Sequence, residues 1–164
     1  MRRPGFQLEQ HQGPGGAAQP GFALIQGWHV EIKAAQPCFS PDTAILMDFR
    51  CDQSRGIHFI YLLPYSPTEA LVESTMLSSK RQNDEFYAEA IKTYLETYWA
   101  TGGWQVIHTE QGCIPMAFVQ PANPDYLPIG ANGGCVRPSS GYAFAFIQKH
   151  TDAIVDRLVL SGPD

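Results

Sequence analysis

Residues 43–77 read TAILMDFRCDQSRGIHFIYLLPYSPTEALVESTML, and their spacing decides the fold class. Thr43 to Cys51 alternates: Ala44, Leu46, Asp48 and Arg50 point one way, Ile45, Met47, Phe49 and Cys51 the other. Asp52 to Gly56 is a run of turn-forming residues. Ile57 to Leu63 is an apolar run of strand length stopped at Pro64, and Glu69 to Leu77 follows the turn Tyr65 to Thr68. Apolar and alternating runs punctuated by short polar turns predict antiparallel strands.

Phe22 to Lys33 extends the pattern upstream, with Trp28, Val30 and Ile32 on one face, and Pro37 to Asp42 is a turn. The four strands are expected to form an antiparallel meander. Downstream, Asn83 is suited to N-cap a helix, with Asp84 and Glu85 complementing the dipole of its first turn. Tyr87, Ile91, Tyr94, Leu95 and Tyr98 recur at helical spacing until Gly102-Gly103, so this helix is expected to cover one face of the sheet. Trp104 to His108 predicts a further strand, Pro121 to Pro128 a loop, and Leu127 to Gly130 a short strand. Gly130 to Gly141 is a Gly-rich loop opening a last helix. Ser139 or Ser140 is its expected cap, Phe144, Ile147, Thr151, Ile154 and Leu158 its inner stripe, and Gly162-Pro163 its stop. Residues 1–20 are rich in Gly, Pro and Gln and have no periodicity, so they are expected to be disordered or foreign to the fold. Residues 21–164 then make one α+β domain: an antiparallel sheet, a helix on one face, and a Gly-rich loop with its helix.

Composition narrows the function. Hydrophobic residues are 44% and charged residues 16% of the 164, which permits a core and argues against disorder throughout. Eleven Lys and Arg face sixteen Asp and Glu, with no basic cluster beyond Arg2-Arg3 and Lys80-Arg81, so no nucleic-acid partner is expected. No apolar run approaches the roughly 20 residues of a membrane span, and Met1 to Gly5 precede no apolar segment of the kind a signal peptide needs. Cysteines 38, 51, 113 and 135 form no C-x-x-C pair and read as free thiols in a reducing, cytoplasmic setting. Histidines 11, 29, 58, 108 and 150 show no ligand spacing, so no metal is expected and they are taken as structural or exposed. No G-x-S-x-G nucleophile elbow is present.

Three features remain for chemistry. Glu73 interrupts an apolar strand. If Leu71, Glu73 and Thr75 share an enclosed face, desolvation keeps its carboxyl protonated and suits it to general-acid work. On a half-solvated strand it is simply an exposed Glu. The Gly130–Gly141 loop precedes a helix N-terminus, where free N–H groups hold anions, so it suits a phosphate, a ribityl chain or a flavin edge. It suits equally a tight turn with no ligand. Asp48 and Arg50 share a strand face and read as a structural ion pair.

These pieces, in order, resemble a family. Thr43 to Arg50, Ile60 to Thr68, Ala70 to Thr75, Gly112-Cys113-Ile114-Pro115-Met116, Ile129 to Gly134 and Arg137-Pro138-Ser139-Ser140-Gly141-Tyr142 together resemble the bacterial flavin-dependent lycopene cyclases over residues 22–160. The resemblance implies β-ionone ring formation on lycopene by acid-catalysed carbocation cyclisation with no net redox change. It also implies FAD, kept reduced by NAD(P)H, to stabilise the cation. The family's acidic strand motif falls on Glu73, with Ser74 where many members carry a second acid. The cofactor role carries over to Gly130, Gly133, Gly134, Pro138 and Gly141, with Ala131 and Asn132 near where many flavoproteins place an aspartate. The resemblance further implies a partial FAD-dependent, hydroxylase-like fold. The family's N-terminal dinucleotide fingerprint has no counterpart here, because Gly13, Gly15 and Gly16 follow no strand and open no helix. The chain therefore reads as the central part of a lycopene cyclase, not competent alone and not expected to retain FAD. A lipid-dissolved substrate implies peripheral contact of the complete protein with the inner membrane surface, and an uncovered sheet implies self-association of this chain. The alternatives are a non-catalytic module binding an apolar ligand, or another flavoprotein of hydroxylase-type architecture. The acidic strand and the Pro-Ser-Ser-Gly-Tyr loop favour the cyclase over the hydroxylase-type enzyme.

Overall fold

The computed structural model describes residues 24–117 and 128–161. The segment 1–20, the loop after Ala117 and the Gly162-Pro163 stop lie outside these residues, wholly or but for Pro128 in the loop. The elements are β1 (Leu24–Ala34), β2 (Ile45–Asp48), β3 (Ile57–Pro64), β4 (Glu69–Ser78), α1 (Asp84–Tyr98), β5 (Trp104–Pro115), a 3-10 turn (Gly130–Gly133) and α2 (Phe144–Ser161). The five strands form one antiparallel sheet in the order β2-β3-β4-β1-β5.

Only β2, β3 and β4 form the expected meander. β1 is not an edge strand beside β2; it lies between β4 and β5. Its alternating residues Val30, Ile32 and Ala34 are all buried, which a central strand satisfies better than an edge one. The linker 35–44 crosses the β3–β4 turn, where Pro67 O accepts from the backbone N–H groups of Cys38 (2.8 Å) and Phe39 (3.1 Å). Three strand spacings are about 14 Å, well within the roughly 33 Å that a linker of this length can span. β5 is longer than expected because β1 offers it a ladder along its whole length, from Leu24 opposite Pro115 to Ala34 opposite Trp104.

α1 packs on one face of the sheet. Ile91, Tyr94 and Leu95 meet Val30, Ile32, Ile60, Leu62, Ala70 and Val72, and Phe39 closes the cluster from the linker. Asn83 caps α1 as expected, its side chain accepting from Phe86 N. Tyr98 ends the stripe partly exposed.

Expectations for β2, for residues 127–130 and for α2 need correction. β2 is four residues, not nine, because Met47 takes a left-handed φ of 53° and shifts the register before Asp48. That break turns the Asp48 carboxylate inward, where it accepts from the Tyr94 hydroxyl at 2.8 Å and from Arg50 Nη2 at 2.6 Å. A buried phenol needs an acceptor, so tertiary contact overrides the alternation. Leu127 is outside the described residues, and Gly130 opens a 3-10 turn, not a strand end. α2 begins at Phe144, beyond reach of a serine cap; Ser140 Oγ instead accepts from Tyr142 N at 3.4 Å inside the turn 137–142. Of the expected α2 stripe, Ile147 and Ile154 are half-buried, whereas Phe144, Thr151 and Leu158 are exposed.

Candidate functional site

The face opposite α1 carries a row of titratable side chains. Strand alternation sends Ile25, Gly27, His29 and Glu31 of β1 to this side. Register then lines up rows across the sheet: Tyr61, Glu73, His29 and Glu110 in one, Phe59, Thr75, Gly27 and Gly112 in the next. Beyond these, Ile57, Leu77, Ile25 and Ile114 make an apolar row. Four titratable side chains from four strands thus stand beside an apolar end.

Gly27 and Gly112 face each other in register, and their missing side chains leave a hollow of about 150 Å³. Its walls are Ile25, His29, Glu73, Glu110 and Ile114 with the two glycines and Gln111. Glu73 leans over Gly27: a Cβ on that glycine would collide with Glu73 Oε1. The Thr75 hydroxyl donates to the same oxygen at 2.8 Å and fixes the carboxyl there. Glu73 is half-buried, neither enclosed nor fully exposed. Beside it, burial and then the Glu73 charge raise the Tyr61 phenol above its ordinary range. Across the sheet, His29 Nε2 lies 3.3 Å from Glu110 Oε2.

The Gly-rich loop reaches the same place from another part of the chain. The turn 137–142 is closed by Arg137 N donating to Tyr142 O (2.9 Å) and Gly141 N donating to Arg137 O (2.8 Å). Gly141, at φ 70°, then seats on the Ile25 side chain, which lines the hollow; a Cβ there would strike Ile25 Cδ1. Behind the loop, buried Cys135 meets His150 of α2, with Sγ 3.2 Å from Nδ1.

The structure separates the five expected cofactor residues. Gly130, at φ 60°, has open space where a Cβ would stand, which fits close approach of a planar group to its backbone. A Cβ added at Gly133 would collide with Pro128 O and one at Gly141 with Ile25 Cδ1, so their lack of a side chain is used by the protein itself. Gly134 ends the 3-10 turn in a left-handed conformation, and Pro138 is half-buried. The described residues thus fit contact with one edge of a flavin at Gly130. None of them supplies the Gly-rich strand-to-helix turn that an ADP moiety requires.

The remaining sequence candidates lie elsewhere. Asp48 and Arg50 pair on the α1 side, as expected of a structural pair. A larger hollow of about 540 Å³ beside α1 is rimmed by Arg50, which stacks on Tyr98, and Arg55, which stacks on Phe86. Both guanidiniums are engaged, by Asp48 and by Gln82. All four cysteines are free thiols. His58 is a buried structural histidine between Asp52 O (2.9 Å) and Ser74 Oγ (2.8 Å). Sequence reading missed the meeting of His29, His108 and Glu110, whose donor atoms lie within 4.8 Å of one another. The one local signal is His108-Thr109-Glu110, which puts two donors on one face of a strand. The third donor comes from β1 only because β1 pairs with β5.

Fold and site together define an α+β protein that holds a carboxyl and a glycine-rich turn over one open sheet face. The chain belongs to the lycopene cyclase family: residues 4–164 match the family described as lycopene cyclase protein. It is 30% identical over 162 residues to a lycopene beta-cyclase of Paracoccus sp. (strain N81106 / MBIC 01143), covering 91% of this chain and 40% of that protein. It is 31% identical over 150 residues to a lycopene beta-cyclase of Pantoea ananas, covering 87% of this chain and 37% of that protein. A further lycopene beta-cyclase, from Pseudescherichia vulneris, is 28% identical over 149 residues, covering 85% and 37%. The chain therefore spans about two fifths of the length of these relatives. A solved structure of a geranylgeranyl bacteriochlorophyll reductase-like protein from Thermoplasma acidophilum aligns with a TM-score of 0.49 at 15% identity, over 82% of this chain and 40% of that one. No helix among the described residues is long and apolar enough to cross a membrane.

Proposed function

We propose that this chain forms the substrate-side sheet of a flavin-dependent lycopene β-cyclase, in which Glu73 is the acid that starts ring closure. The observation that carries this reading is the Glu73 carboxyl, held by Thr75 over Gly27 at the mouth of a hollow with an apolar end. Thr75 donates to Oε1, which leaves Oε2 to carry the acidic proton. Transfer of that proton to the terminal double bond of lycopene leaves a tertiary cation. The neighbouring double bond attacks it and closes the ring, and loss of one proton restores neutrality without net oxidation or reduction. Ile25, Leu77 and Ile114 offer an apolar seat for the hydrocarbon end, and Gly141 brings the loop against that seat. Reduced FAD, when bound, supplies an electron-rich surface that stabilises the cation. Gly130 is the residue here with open backbone to meet it, and the residues that hold the ADP moiety are not among those described.

The test is to graft this chain into the corresponding segment of the Paracoccus relative and to change Glu73→Gln. Flavin absorbance should persist while ring formation on lycopene is lost. Ring formation at the parental rate would remove Glu73 from the mechanism. Loss of ring formation in the unmutated graft, with flavin bound, would favour a module that binds an apolar ligand without converting it.

A further inference from the structure

We propose that His29, His108 and Glu110 form a binding site for a divalent cation of the zinc type on the open face of the sheet. Their donor atoms all lie within 4.8 Å of one another, and the closest pair, His29 Nε2 and Glu110 Oε2, stands at 3.3 Å. Two ligands about 2.1 Å from a tetrahedral zinc stand roughly 3.4 Å apart, so this pair already has the required spacing. His108 and Glu110 are exposed, and small side-chain rotations bring the third donor in. Two imidazoles and one carboxylate are also the donor set of known zinc sites that keep a fourth position open.

Backbone placement supports the cluster independently of side-chain rotamers. Glu110 faces His29 in direct register, and His108 faces Glu31 one step on. Between Glu31 and Ile32 the β1–β5 register slips, so that Ile107 is the extra residue beside His108. A bulge of this kind re-aims a side chain and is enriched beside sites. Glu31 and Glu73 lie on the same face, opposite His108 and His29, and add negative potential. Lys33, on the same face, pairs with Glu69 at 3.3 Å. His29 and Glu110, two of the three donors, also line the hollow between Gly27 and Gly112.

Ion binding here does not depend on the cyclase reading.

The experiment is calorimetric titration of the full chain with Zn(II), together with Co(II) absorption spectra. A single saturable equivalent is expected, with cobalt d–d bands and no sulfur charge-transfer band. His108→Ala and Glu110→Gln should each weaken binding by about tenfold or more, with circular dichroism unchanged because both side chains are exposed. Absence of saturable binding overturns the proposal. So does a thiolate band, which would place the ion on a cysteine, or binding indifferent to both substitutions.

Discussion

Gly27→Ala tests whether the position of Glu73 matters. The new methyl would overlap Glu73 Oε1, and relief to an ordinary contact of about 3.5 Å moves the carboxyl by about an ångström. That motion breaks the 2.8 Å bond from Thr75. A hydrogen bond between neutral groups, as the Thr75 hydroxyl makes to a protonated Glu73, is worth about 0.5–1.5 kcal/mol. Against it, replacing a strand glycine by alanine returns about 0.5–1 kcal/mol. The net loss of stability is therefore about 1 kcal/mol or less, small enough for the fold to persist. The effect on chemistry is larger, because a misplacement of about 1 Å costs on the order of 100-fold in rate. Urea unfolding of the chain measures the first quantity, and ring formation by the graft into the Paracoccus relative measures the second. Gly112→Ala is the control, since a Cβ there meets nothing within 4 Å; it should leave Glu73 in place and stability equal or slightly raised. Parental activity in Gly27→Ala, or equal loss in Gly112→Ala, would refute the argument.

Asp48→Asn removes the charged acceptor of Tyr94 and Arg50 and should destabilise the chain by about 2 kcal/mol, read by urea unfolding at neutral pH. Acid should weaken the fold in two stages. Burial lowers the His58 pKa in the fold, so the unfolded chain binds that proton more readily and stability falls as pH drops below about 6.5. Hydrogen bonding from Arg50 holds Asp48 well below the carboxylate range, so its contribution is present above about pH 4 and is lost only below it. A His58→Asn variant should lack the first stage and keep the second in unfolding curves recorded from pH 7 to 3. Gly141→Ala, strained at φ 70° and obstructed by Ile25, should undock the 137–142 turn and raise its amide exchange while leaving the β-sheet amides protected. Phe144, Phe146, Leu158, Val159 and Leu160 are exposed on α2, so the isolated chain should sediment as more than a monomer; a clean monomer would contradict this.

Much of the fold was legible because local signals agree. Asn83 with Asp84 and Glu85 marks the start of α1, its apolar period marks the buried side, and Pro64 marks the end of β3. What the pattern misses is non-local. Nothing in Phe22 to Lys33 says which strands it will pair with, and the meander expected from short turns is defeated by a linker long enough to cross the β3–β4 turn. Met47 breaks β2 to satisfy a tyrosine 47 residues downstream, a debt that no local window contains. The His29–His108–Glu110 meeting fails for the same reason: its members are compatible with a site only after β1 and β5 are known to be neighbours.

That misplaced strand is what builds the site. As an edge strand beside β2, β1 would set His29 and Gly27 far from Glu73, and the Gly27–Gly112 gap would not exist. Inserted between β4 and β5, it puts a glycine beneath the Glu73 carboxyl, a second glycine beside the first, and a histidine next to both acids. The same insertion places Ile25 at the end of the row where Gly141 comes to rest, so a loop more than a hundred residues away is registered on the sheet by one side chain. Ile25→Ala should therefore loosen the loop without disturbing α1, which packs on the other face; amide exchange that rises in 137–142 and stays low in α1 would support this coupling, and unchanged exchange in both would remove it.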